Sequence, residues 1–198
     1  MRKVTMLNRI SLDGMFASRN QGTFGMDWFV QDPEVEKHVH ALGEPGDPAP
    51  DTLLLGGATF KGFEASWLPF LTDPAAPPPL RAVAEELTKM TKIVFSGRLA
   101  DTPWANTRIE KEPPGKVVRK LKSEPGGGIM VMGSGTVVRN LASEGLIDEY
   151  VFIVSPVVAG SGKPLFPDIP QQNLSLVSAK AFPSGNVVLH HRRLYQPE

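Results

Sequence analysis

Three short runs hold the residues with the clearest chemical use: Leu55-Gly56-Gly57-Ala58-Thr59, Phe95-Ser96-Gly97-Arg98 and Met132-Gly133-Ser134-Gly135-Thr136. Glycine lets a backbone approach a phosphate closely, and a helix that follows offers unpaired N–H groups and the positive end of its dipole. Each run ends a β-rich stretch. In an open α/β sheet, ligands bind beyond the carboxyl ends of the strands. Three such turns on parallel strands would therefore line one edge and suit an extended dinucleotide. Plain strand-ending turns are the alternative reading of the same residues. The Gly133 run is not a Rossmann fingerprint, because it lacks a third spaced glycine and follows a late strand.

Two aspartates are open to a chemical role. Asp13, in Ser11-Leu12-Asp13-Gly14, reads either as a turn-stabilising residue or as a substrate contact. Asp27, in Met26-Asp27-Trp28-Phe29, reads either as a turn aspartate or as a proton source whose pKa an apolar setting would raise. His38 and His40 are two apart and do not share a helix face; His190 and His191 alternate across a strand. No metal site is expected from them. The chain has no cysteine, which excludes disulfides, thiolate metal sites and a cysteine nucleophile, and fits a reducing cytoplasm. It also lacks the H-x-E and P-C-x-x-C pair of a zinc deaminase.

The elements that must position these residues alternate between strand and helix. Val4 to Ile10 reads as a strand closed by the Ser11–Gly14 turn, and Asp32-Pro33-Glu34 opens a helix to about Leu42. A loop from Gly43 to Pro50 leads to the apolar run Thr52–Leu55, which looks like a buried parallel strand. A proline-rich loop from Pro74 to Pro79 precedes a helix from about Leu80 to Lys89, and Lys92–Phe95 is the next strand. A short basic helix spans Lys116 to Lys122, then Ile129–Met132 forms another strand. The helix after Gly135 places Val137, Val138, Leu141 and Ala142 on one face. Tyr150 to Pro156 is a β-branched strand. Leu174 to Tyr195 reads as a hairpin around Pro183-Ser184-Gly185-Asn186. Such alternation implies an α/β fold with a mostly parallel sheet, helices on both faces and an antiparallel edge.

Formal charge is zero, from 21 basic and 21 acidic residues among 198, which argues against a nucleic-acid partner. No apolar run is long enough to span a bilayer, and the N-terminus lacks a signal-peptide core. The expected protein is soluble and cytoplasmic, with a small-molecule partner.

Four blocks resemble a known family: Ile10–Gly14, Leu55–Phe60, Lys92–Ser96, and above all Gly133-Ser134-Gly135 through Leu146–Glu149 to Pro156–Gly162. Together they resemble the riboflavin-biosynthesis reductase domain, the C-terminal part of bifunctional deaminase-reductases, in the dihydrofolate reductase-like superfamily. The resemblance runs from about residue 3 to 195. It implies one three-layer αβα domain over residues 1–198, no deaminase domain, NADPH as cofactor and a homodimer. It implies that Gly56, Gly57, Ala58 and Thr59 face the cofactor phosphates, with Thr59 capping the helix. Ser96, Gly97 and Arg98 would hold the adenosine ribose and its 2′-phosphate, and Gly133, Ser134, Gly135, Thr136 and Val137 the pyrophosphate. Ser11, Leu12, Asp13 and Gly14 would border nicotinamide and substrate.

Two departures bear on this. Folate reductases place an arginine where Gly57 stands, so Arg98 or Lys61 must supply the charge for a 2′-phosphate. They also carry a cis Gly-Gly bond where this chain has Gly133-Ser134, leaving the state of that bond open. The implied activity is an NADPH-dependent reductase resembling 5-amino-6-(5-phosphoribosylamino)uracil reductase. A dihydrofolate or other pterin reductase, and a nucleotide-binding protein without turnover, are the alternatives.

Overall fold

A computed structural model describes residues 1–20, 25–43 and 46–194; the expected strand end at Tyr195 and part of the Gly43–Pro50 loop lie outside them. In chain order the strands are β1 (Val4–Ile10), β2 (Met15–Ala17), β3 (Pro50–Gly56), β4 (Thr91–Phe95), β5 (Thr107–Glu110), β6 (Gly128–Met132), β7 (Glu149–Val154), β8 (Lys163–Pro164), β9 (Leu174–Ala181) and β10 (Val187–Arg193). The helices are α1 (Pro33–His40), α2 (Gly57–Thr72), α3 (Pro78–Lys89), α4 (Pro114–Ser123) and α5 (Gly135–Ser143).

Eight strands form one sheet in the order β5-β4-β3-β6-β1-β7-β10-β9, and β2 pairs with β8 separately. The first six of that order run parallel. The last two are the antiparallel hairpin. Burial on both faces explains the unbroken apolar runs: Leu53, Leu54 and Leu55 are all fully buried. Leu54 packs with α4 and α5 through Val118, Val138 and Leu141. Its neighbours Leu53 and Leu55 pack on the other face with Phe60 of α2. Val35 of α1 covers Val151, Ile153 and Val188 on that same second face. The result is the dihydrofolate reductase-like αβα sandwich expected from the sequence.

Differences fall at the ends of elements and in short strands. Helix α1 stops at His40, two residues early, although Leu42 still packs against the core. Helix α3 begins at Pro78, because a first-turn proline loses no hydrogen bond there. Strand β5 carries one aliphatic residue, Ile109, and shows no apolar run, yet it pairs with β4 from Lys92↔Thr107 to Phe95↔Glu110. The hairpin turn is tied down by Asn186, which is fully buried. Its amide donates to the Val30 carbonyl at 3.1 Å and the Ser184 hydroxyl at 3.0 Å, and its oxygen accepts from Ser155 at 3.2 Å. Ser184 in turn donates to Asp32, the N-cap of α1, at 2.5 Å.

Candidate nucleotide and substrate site

Parallel pairing puts the carboxyl ends of β4, β3, β6, β1 and β7 on one rim, so the turns after them must meet. They touch directly. A Cβ on Gly56 would collide with the Ser134 hydroxyl, one on Gly57 would lie 2.8 Å from the Ser96 hydroxyl, and one on Gly133 would lie 2.8 Å from the Thr59 methyl. A Cβ on Gly135 would lie 2.6 Å from the Phe16 ring. These four glycines are therefore required by the packing of one turn on the next. Gly97 differs: a Cβ there would meet nothing within 4 Å.

The rim presents two helix starts. Neither α2, with Gly56 at its N-cap, nor α5, with Ser134 there, receives a side-chain cap. The first-turn N–H groups at Gly57, Ala58 and Thr59, and at Gly135, Thr136 and Val137, have no partner in the helix itself. Thr59 was expected to cap α2 and does not: it sits inside the first turn, past the capping position, with its methyl on Gly133. Ala58 and Thr136 are exposed, while the Val137 side chain is core and only its backbone is offered. Gly133 and Ser134 both take left-handed backbone, φ 61° and 56°, and every described peptide bond is trans, Gly133–Ser134 included.

After β4 the arrangement differs. The Ser96 hydroxyl accepts from the Arg98 amide at 3.2 Å and the Leu99 amide at 3.0 Å, so the turn caps two of its own N–H groups. The Arg98 side chain is exposed and makes no ion pair among the described residues, whereas Lys61 is held 2.9 Å from Glu64.

Beside these turns, Ser11–Gly14 follows β1. Ser11 was expected to contact substrate, but it is fully buried. Its hydroxyl donates to Asp13 at 2.6 Å and accepts from the Met15 amide at 2.9 Å. Both bonds are internal. Asp13 was expected as a catalytic group, and its carboxyl is instead held down at about 2, chiefly by the Ser11 hydroxyl and then by the Ala159 amide. It stays ionised and cannot store a proton near neutral pH. Leu12 projects outward, 64% exposed, and Gly14 has φ 78° with open space around it. Asp27 was expected in an apolar setting, yet it is exposed on a turn and accepts from Ser18 at 2.5 Å, with Met26 also exposed.

Phe16 and Val158 at this rim escaped the sequence reading. Phe16 lies in a three-residue strand with no periodicity to find, and Val158 falls in the Pro156–Gly162 block of the resemblance with no site role attached, beyond β7, which ends at Val154 where Pro156 was expected. Among the described residues no group of three or more His, Asp or Glu assembles as a metal-ligand set. No helix is long and apolar enough to cross a membrane.

The sequence model of the RibD C-terminal domain matches residues 2–188. The chain belongs to that family. It is 30% identical over 200 residues to the uncharacterized protein YyaP of Bacillus subtilis (strain 168), covering 96% of this chain and 95% of YyaP. YwjB of the same organism is 27% identical over 197 residues, covering 97% and 98%. A pyrimidine reductase-like protein from Corynebacterium diphtheriae shares the fold with TM-score 0.65 at 12% identity, over 98% of this chain and 93% of its own. So does the diaminohydroxyphosphoribosylaminopyrimidine deaminase/5-amino-6-(5-phosphoribosylamino)uracil reductase of Thermotoga maritima, with TM-score 0.64 at 17% identity. This RibD C-terminal domain covers 98% of itself but 57% of that longer chain.

Proposed function

We propose that this RibD C-terminal domain is an NADPH-dependent reductase of a small heterocycle, of the same kind as 5-amino-6-(5-phosphoribosylamino)uracil reductase. The observation that carries the reading is the junction of two uncapped helix N-termini on one sheet rim. Unpaired N–H groups and aligned helix dipoles at that junction suit a diphosphate. Arg98, exposed and without an ion-pair partner among the described residues, suits a further phosphate on the adenosine ribose. The names of the Corynebacterium and Thermotoga proteins of the same fold point to reduction of a pyrimidine-derived compound.

Bound NADPH would supply a hydride; the chain supplies grip and orientation. The starts of α2 and α5 hold the phosphates, and Arg98 adds charge beside Gly97. Leu12, Gly14 and the loop after β7 border the substrate's heterocycle. Asp13 is held ionised, so the proton that completes the reduction comes from solvent at the open rim.

The deciding experiment follows NADPH oxidation by the purified protein with 5-amino-6-(5-phosphoribosylamino)uracil or dihydrofolate, alongside a fluorescence titration of NADPH and NADH. Oxidation with the uracil and tighter binding of NADPH are expected. Turnover of dihydrofolate alone would make the protein a pterin reductase. Absence of binding to either nucleotide would overturn the proposal.

A further inference from the structure

Two loops close the rim beside β1, and they are joined along their length. The Leu12 amide donates to the Val157 carbonyl at 2.8 Å, and the Leu165 amide donates to the Gly14 carbonyl at 3.1 Å. Strand β2 pairs with β8 just beyond. Between these contacts sits Asp13. Its Oδ1 accepts from the Ala159 amide at 2.9 Å and its Oδ2 from the Gly160 amide at 2.8 Å, while Oδ1 also takes the Ser11 hydroxyl. One carboxylate thus fastens residues 146 and 147 positions away in the chain.

What the fastened loops display is apolar. Val158 is 70% exposed and Leu12 64%, the highest values apart from Met1 among the large apolar side chains of the described residues. Isolated apolar side chains on a surface mean little, but these two lie on loops bonded to each other. Phe16, four residues beyond Leu12, rests on Gly135 at the start of α5. The apolar pair and the helix start are therefore parts of one rim. Ser11 and Asp13, the polar residues of the turn, make their hydrogen bonds within the protein.

We infer that Asp13 is a positioning residue whose carboxylate fastens the Pro156–Gly162 loop onto the Ser11–Gly14 turn, so that Leu12 and Val158 form a shelf for the flat heterocycle of the substrate. The assignment of the shelf's occupant rests on the reductase reading; the fastening does not. A carboxylate works here because it accepts on both oxygens at once. Asparagine offers one acceptor and turns an N–H₂ toward an N–H donor.

Hydrogen exchange of the unliganded protein tests the fastening. In Asp13→Asn the Ala159 and Gly160 amides should exchange about tenfold faster or more, while those of β1 and β7 keep their protection. In NADPH oxidation with the phosphoribosylaminouracil, the same variant should raise KM about tenfold, keep kcat within about threefold and leave its pH profile in place. Val158→Ser should raise KM by a similar factor with exchange unaltered. Unchanged exchange in Asp13→Asn, a fall confined to kcat with a shifted pH profile, or a wild-type KM in Val158→Ser would each overturn the inference. A wild-type protein that oxidises no NADPH would instead sink the reductase reading, with the exchange result still deciding the fastening.

Discussion

Lys61 and Arg98 carry the same charge in different company. Lys61 is neutralised by Glu64 one turn along α2, while Arg98 stands alone among the described residues beside Gly97. A 2′-phosphate would find its cation in Arg98. Arg98→Ala should raise the Kd for NADPH about tenfold, roughly 1.4 kcal/mol, and change that for NADH far less. Fluorescence titration with both nucleotides reads the difference, and equal weakening would remove Arg98 from that role. At Gly57, where folate reductases carry an arginine, a Cβ would lie 2.8 Å from the Ser96 hydroxyl. Gly135 is under the same kind of constraint from Phe16. Gly135→Ala should cost about 1–3 kcal/mol through overpacking, seen as a lowered Tm.

The residues with a glycine signature were readable because backbone freedom leaves a trace in sequence. The role of Asp13 was not. A turn aspartate and a substrate contact look alike in a string, and only the fold brings Ala159 and Gly160 to it.

At the scale of elements, Lys92 shows how a charge can be used for helix termination. It begins the buried part of β4 and is fully buried. Its ammonium donates to the carbonyls of Leu87 at 2.8 Å, Thr88 at 3.2 Å and Met90 at 2.9 Å, closing the C-terminal end of α3. Burial pushes its pKa down to about 8 from 10.5. Above pH 8 the folded protein has released this proton while the unfolded chain still binds it, so stability should rise from pH 8 toward 10. Tyr150, pushed up to about 12 by burial, acts with the opposite sign only above pH 10. Urea unfolding at several pH values should show the rise in wild type and its loss in Lys92→Met.

Strands and helices buried on both sides were readable for a simple reason: apolar runs and 3.6-residue periodicity both follow from burial. The full extent of α2 was obscured by Gly62 and Pro69 within it, and β5 by its polar sequence. Their structure is imposed by neighbours: α2 packs on α3, and β5 extends a ladder that β4 has already begun.

Across the whole molecule, the two ends of the parallel sheet hold different kinds of residue. The end opposite the turns is bound by charge: Glu149 accepts from His190 at 3.0 Å and lies 3.4 Å from Lys3 and 3.3 Å from Arg192. The His190 hydrogen bond is the main reason its carboxyl is held at about 2, against the usual 4.5. Glu149 therefore contributes stability above pH 4.5 that disappears as pH falls toward 2. Glu149→Gln should lose more than about 1 kcal/mol at pH 7 and show a shallower decline on acidification, as measured by urea unfolding at pH 7 and pH 3.

The common direction of six strands has one more consequence. The turns that follow β4, β3, β6 and β1 lie at one end, and Glu149 with His190, Lys3 and Arg192 lies at the other. Relatives of this fold can therefore exchange their turns, and with them their preferences, while keeping the same foundation.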